Sequence, residues 1–179
     1  MLPLLEEVST AFGLIRPETV EKIALAIIRQ MKTGSIFICG NGGSAATSLH
    51  LELELSKEAQ REAGCKVSSL TANSALLTAL GNDIGFSECL SRQIEYYGRP
   101  GDLLWSFTVS GESENIINAI RAAKAREMVV IALTGAPPNS ACRLADHHLA
   151  IMSAAPGVVE TCHVAIMHAL TLRLRRRST

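Results

Sequence analysis

Residues Gly34 to Glu54 read Gly-Ser-Ile-Phe-Ile-Cys-Gly-Asn-Gly-Gly-Ser-Ala-Ala-Thr-Ser-Leu-His-Leu-Glu-Leu-Glu. The run Ser35 to Cys39 is apolar enough for a buried strand, Gly40 to Ser44 is a glycine-rich turn, and a periodic segment opens at Ala45. Strand, glycine turn, helix is the order in which an open parallel sheet presents ligand-binding backbone at the carboxyl ends of its strands. Glycines let the backbone approach a ligand closely, and the unpaired amides of the following helix attract an anion. The first expectation is therefore a phosphate or carboxylate ligand at Gly40 to Ser44.

Working outward, Leu2 to Gln30 reads as helical with a break near Gly13 to Pro17, and Pro17-Glu18 suits a new first turn. Downstream, the helix through Glu54 is expected to reach about Ala63, with Gly64 as its stop. Cys65 to Leu70 is a weaker strand, followed by a turn and cap at Thr71 to Ser74, an apolar segment Ala75 to Leu80 and a glycine-bounded turn Gly81 to Phe86. Ser87 to Tyr97 reads as a helix, Leu103 to Phe107 as a third strand, Asn115 to Ala125 as a helix, and Met128 to Thr134 as a fourth strand. Leu149 to Met152 is expected to be an edge strand, and Val158 to Leu174 a closing helix. This alternation predicts an α/β fold with a parallel sheet covered on both faces, in one domain over 1–179.

Composition narrows the function classes. Lys and Arg total 17 against 17 for Asp and Glu, so no net charge draws the chain to nucleic acid, which is not an expected partner. Arg173, Arg175, Arg176 and Arg177 read as residues complementing the dipole of a terminal helix. Cys39, Cys65, Cys89, Cys142 and Cys162 are odd in number and widely spaced, which predicts a reducing, cytoplasmic setting and no zinc finger. No secretory signal and no membrane-spanning run is evident.

A second turn of the same kind, Thr108-Val109-Ser110-Gly111-Glu112-Ser113, follows the third strand. Hydroxyls interleaved with a glycine at a strand-to-helix junction make a phosphate cradle, or else a serine that simply caps the helix. The spacing fits neither the dinucleotide fingerprint nor a Walker A loop. His50 and Glu54 share a helix face at i,i+4, as do Glu160 and His168 eight apart, with His163 turned off that line. Such N and O donors suit zinc or a similar metal, but spacing alone favours the other readings, an acid/base pair beside a phosphate pocket or solvated and core-satisfied side chains. Asp83 and Asn41 are either sugar-hydroxyl contacts or turn formers, and Lys57 and Arg61 either meet phosphate or face solvent.

These motifs carry a resemblance over nearly the whole chain. Cys39 to Ser44, Gly81 to Phe86, Ser91-Arg92-Gln93, Gly98 to Asp102, Thr108 to Ser113 and the spacing of His163 and His168 resemble the sugar isomerase (SIS) domain family. Within it they are similar to the phosphoheptose isomerases, which convert sedoheptulose 7-phosphate to glycero-manno-heptose 7-phosphate. The resemblance implies a three-layer α/β/α sandwich with a flavodoxin-like parallel sheet, assembled as a homotetramer with active sites lined by more than one subunit. It implies Glu54 as general base and His168 as general acid, and Ser110 and Ser113, helped by Thr108 and the Val109 backbone, as phosphate contacts. Asn41, Ser44 and Asp83 would line the sugar pocket, and His50, Glu54, Glu160 and His168 would hold Zn2+. Departures from the family pattern are Glu160 for a common glutamine, Val109, Glu112, Asn73, Gly157, and Glu58 near the place of an arginine. They leave two alternatives beside the heptose reading: an isomerase for another sugar phosphate, and a noncatalytic tetrameric scaffold in replication-initiation control.

Overall fold

Five short runs pair side by side into one sheet, all parallel: β1 (Ile36–Cys39), β2 (Val67–Ser69), β3 (Leu103–Thr108), β4 (Val129–Thr134) and β5 (His147–Ala150), in the order β2-β1-β3-β4-β5. The computed structural model describes residues 3–59 and 65–176. Around the sheet lie α1 (Pro3–Gly13), α2 (Pro17–Thr33), α3 (Gly43–Ala59), α4 (Ser74–Asp83), α5 (Ser91–Tyr97), α6 (Glu114–Ala125), α7 (Ser140–Leu144) and α8 (Pro156–Arg175). The three layers are the α/β/α arrangement expected of the family.

β1 and β3 are buried along their whole length, which is why they read as largely apolar runs rather than alternating ones. Alternate side chains serve opposite faces. Ile36, Ile38, Trp105, Phe107, Ile131 and Leu133 pack under α1, α2, α3 and α8. Phe37, Cys39, Leu104, Val130 and Ala132 pack under α4 to α7. The strand order turns back between β1 and β3, and these neighbours carry the two glycine turns at their carboxyl ends. That is the switch point at which open α/β sheets bind ligands.

Several boundaries move. Gly81 to Asp83 form the last turn of α4 rather than a loop, continuing the Ala75 to Leu80 segment that Asn73 Oδ1 caps by accepting from Leu76 N at 3.0 Å. The helix expected from Ser87 begins at Ser91, because Gly85 takes φ +98° and starts a turn closed by Glu88 N donating to Gly85 O. β5 lies two residues before its expected place, since the ladder to β4 pairs Ile131 with His147 and Thr134 with Ala150. Helix α7 went unread; Asn139 caps it, its Oδ1 accepting from Cys142 N at 2.9 Å. The expected end of α3 near Ala63, and Arg61 and Arg177, lie outside the described residues.

Candidate active site

The first turn is built by close packing rather than left open. A Cβ on Gly40 would sit 2.5 Å from Ser44 O, and Gly42 takes the left-handed φ of +54°. A Cβ on Gly43 would stand 2.6 Å from the Glu160 carboxylate, so Glu160 from α8 already lies over the first residue of α3. A helix start favours negative charge, and here the chain supplies its own. The Glu160 carboxylate thus stands beside the turn expected to bind an anion, and Ser44 itself is buried. Asn41 is paired to Asn115 at the start of α6 by two reciprocal bonds, Nδ2 to Oδ1 at 2.9 Å and 2.8 Å. This amide pair locks the two turns together. Asn115 was missed in the sequence; its signal is a buried amide beside Ile116 and Ile117 on the core face of α6.

The second turn has a different character. Gly111, at φ +67° and with Asn139 where a Cβ would go, lets the chain fold back sharply. Thr108 Oγ1 accepts from Gly111 N at 3.2 Å, and Ser110 Oγ accepts from Glu112 N at 3.1 Å. A hydroxyl that accepts from backbone keeps its own hydrogen to donate, which is what an anionic oxygen needs. Ser113 precedes α6 but makes no capping bond through its side chain, so simple capping does not account for it. Val109 turns its carbonyl to Gly135 N at 3.0 Å. Glu112 turns aside: its carboxylate accepts from Ser140 N at 2.7 Å at the start of α7, and the Ser140 hydroxyl and amide hold it below the usual carboxylate range.

α3 and α8 meet at Gly43 with Glu160, at His50 with His168, and at Glu54 with Arg175, in the same order, so the helices run parallel along a seam. The His50 and His168 rings meet edge to face, with centroids 4.9 Å apart. One turn on, Glu54 Oε1 accepts from Lys57 Nζ at 3.2 Å and Oε2 accepts from Arg175 Nη2. The Lys57 hydrogen bond is the largest influence holding the Glu54 carboxyl below its ordinary range, with the Lys57 and Arg175 charges adding to it and partial burial opposing. Arg175 Nε also donates to Glu58 Oε1 at 3.0 Å. Leu49, Leu53 and Leu172 stand exposed on the same two helices.

Among the described residues, no group of three or more His, Cys, Asp or Glu side chains is arranged to hold a metal ion. The set His50, Glu54, Glu160 and His168 does not close around one point. Both oxygens of Glu54 are engaged by cations, and Glu160 lies at the opposite end of the seam against Gly43. As arranged, these side chains form a histidine pair flanked by two carboxylates. Asp83 ends α4 exposed, its carboxylate accepting from Asn82 Nδ2 at 2.9 Å. His163 is a core residue beside Phe107, and Cys39 is an inert buried thiol that burial, then Cys89, pushes up to about 12.

Comparison with known proteins places this geometry in a family context. Residues 7–135 match one family model described as SIS domain, and residues 97–175 match a second of the same description. The phosphoheptose isomerase of Rhodospirillum rubrum is 40% identical over 138 residues, 76% of this chain and 73% of that one. The phosphoheptose isomerase of Maridesulfovibrio salexigens is 34% identical over 164 residues, 90% of this chain and 80% of that one. The solved structure of phosphoheptose isomerase GmhA from Neisseria gonorrhoeae superposes with a TM-score of 0.88 at 31% identity, covering 97% of this chain and 93% of that one.

Proposed function

The chain belongs to the SIS domain family, and from that premise we propose that it is a sugar phosphate isomerase converting sedoheptulose 7-phosphate to D-glycero-D-manno-heptose 7-phosphate. The observation that carries this reading is the His50–His168 pair with Glu54 one turn away, in a chain 34–40% identical to phosphoheptose isomerases. A carboxylate and an imidazole on one seam can serve as the base and acid of an aldose–ketose interconversion. Glu54 takes a proton from C1 of the ketose while His168 protonates the C2 carbonyl oxygen, giving an enediol. Return of a proton to C2 and loss of the C1 hydroxyl proton give the aldose. Ser110 and Ser113, with Thr108 and the Val109 backbone, hold the phosphate, whose binding fixes the reactive end. Asn41, Ser44 and Asp83 are proposed to shape the sugar pocket.

The assembly proposal follows from exposed apolar surface. We propose a homo-oligomer of four copies in which the seam of one copy lies beside the phosphate turn of another. Exposed Leu49, Leu53 and Leu172 beside the seam, and Leu4, Leu5, Leu14 and Leu25 on α1, α2 and the turn joining them, supply apolar surface for such contacts. We also propose one SIS domain over 1–179 and a cytoplasmic setting, the latter from five widely spaced cysteines, odd in number; no described helix is long and apolar enough to cross a membrane.

Zinc is proposed on donor chemistry alone: two imidazoles and two carboxylates at His50, His168, Glu54 and Glu160 are ligands it accepts. As arranged, the four side chains do not close around one point, so no step of the isomerisation is routed through the metal. The test is proton exchange into sedoheptulose 7-phosphate in deuterium oxide, with product identification, with and without chelator. Exchange with formation of the heptose aldose is the expected result, and loss of exchange on chelation would support the metal. No exchange by folded, metal-supplemented protein would refute the heptose reading.

A further inference from the structure

The seam holds one group to which the chemistry above gives no task. Arg175 lies seven residues past His168, two turns further along the same face of α8. Its Nε donates to Glu58 Oε1 at 3.0 Å, and its Nη2 donates to Glu54 Oε2. Nε and Nη2 form one edge of the planar guanidinium, so a single rigid fork spans two carboxylates one helical turn apart. The Glu58 side chain is 4% exposed, against 14% for Glu54 and 40% for Arg175, which makes Glu58 the packed end of the bridge. Without the guanidinium, Glu54 and Glu58 are like charges at i,i+4 and repel one another. Lys57 holds the other oxygen of Glu54 from a side chain that is 55% exposed and flexible, so it neutralises charge without fixing direction.

We propose that Arg175 is a positioning residue for the isomerisation: its fork ties the Glu54 carboxylate to buried Glu58 and sets the direction in which the base presents its oxygen. This rests on the reading of Glu54 as the base. The fork works from a different helix than the base, so it also couples the reach of Glu54 to the packing of α8, on which His168 stands. Both proton-transfer groups are thereby held in one frame, and misplacing the carboxylate lowers turnover more than it lowers binding, because the phosphate turn holds the substrate separately.

The experiment compares sedoheptulose 7-phosphate kinetics and thermal melting for the unmodified chain, Glu54→Gln, Arg175→Gln, Arg175→Lys, Arg175→Glu and the Glu58→Arg/Arg175→Glu exchange. Arg175→Gln is expected to lower kcat about 10- to 100-fold with KM nearly unchanged. Arg175→Lys keeps the charge but not the fork and recovers only part of the loss. The charge exchange places an arginine four residues from Glu54 on the same face, and recovers turnover that Arg175→Glu alone loses. A bridge that only stabilises the helix pair would lower the melting temperature and leave kcat of the folded protein intact, which would overturn the proposal. Equal loss in Arg175→Glu and in the exchange would overturn it as well, provided both fold; the glutamine and lysine variants decide the matter if they do not. Full turnover in Glu54→Gln removes the base assignment and this proposal together. Full turnover in Arg175→Gln beside an inactive Glu54→Gln removes the role of Arg175 alone.

Discussion

His163 gives this fold a specific acid sensitivity. Its Nε2 lies 3.3 Å from Thr134 O, which can only accept, so the ring donates there; its Nδ1 is buried without a hydrogen-bond partner. Adding a proton at Nδ1 would create a buried charge with no acceptor, and burial pulls the pKa from 6.5 down to about 4. Below pH 6.5 the unfolded chain therefore binds a proton that the folded chain refuses, and stability falls as pH falls toward 4. The full difference is about 3 kcal/mol, of which about 2 kcal/mol is lost between pH 7.5 and pH 5. His163→Gln retains an amide that can donate to Thr134 O but does not titrate. Urea unfolding at fixed protein concentration, at pH 7.5, 6 and 5, measures the contrast, with the shared carboxylates cancelling between the two chains. The unmodified chain should lose about 2 kcal/mol more than His163→Gln over that window. Parallel pH profiles for the two proteins would refute the assignment of His163 as a buried neutral imidazole.

Ser110→Ala removes a hydroxyl whose hydrogen is free for an anion, and should raise KM for the phosphorylated sugar about tenfold while affecting a dephosphorylated analogue little, as read by inhibition constants. Gly111→Ala forces a Cβ into the left-handed region and onto Asn139, and should lower stability by about 1–3 kcal/mol or more in denaturant titration, with loss of phosphate binding in the folded fraction. Glu112→Gln should change KM by less than about twofold, because its carboxylate faces Ser140 rather than the cradle; a large fall in KM would show that the charge faces phosphate.

The sheet was legible because its central strands are buried on both faces and so announce themselves as predominantly apolar runs at Ile36 to Cys39, Leu103 to Phe107 and Met128 to Thr134. The edges were less so: β2 has Ser68 exposed and Val67 half-buried, and β5 carries His147 and His148, so burial leaves a weaker imprint there. α4 was obscured by Gly81, which sits inside its last turn with nothing near its absent Cβ. In the site, i,i+4 and i,i+8 spacing put His50, Glu54, Glu160 and His168 on their faces correctly, and the two histidines do meet. Spacing could not say which cation would claim Glu54, because Arg175 reaches it across 121 residues. The same holds for the Asn41–Asn115 lock, formed across 74 residues by two amides that each look like local turn or cap formers.

The acidic departures from the family pattern, which leave the substrate identity open in the sequence, have partners of their own in the fold. Three carboxylates stand where the resemblance leads one to expect neutral or basic side chains: Glu58, Glu112 and Glu160. Each is turned to something internal: Glu58 to the Arg175 guanidinium, Glu112 to the first amide of α7, and Glu160 to the start of α3. Repulsion between exposed charges falls off over a Debye length, but a charge already hydrogen-bonded to a donor or set at a helix start is partly cancelled at its source. The hydroxyls of Ser110 and Ser113 are left without a competing anion on the residues that carry them, since Glu112 between them points to α7. The negative charge that this chain adds is therefore turned toward its own fold, and the Thr108 to Ser113 turn keeps hydroxyl donors for the phosphate proposed there.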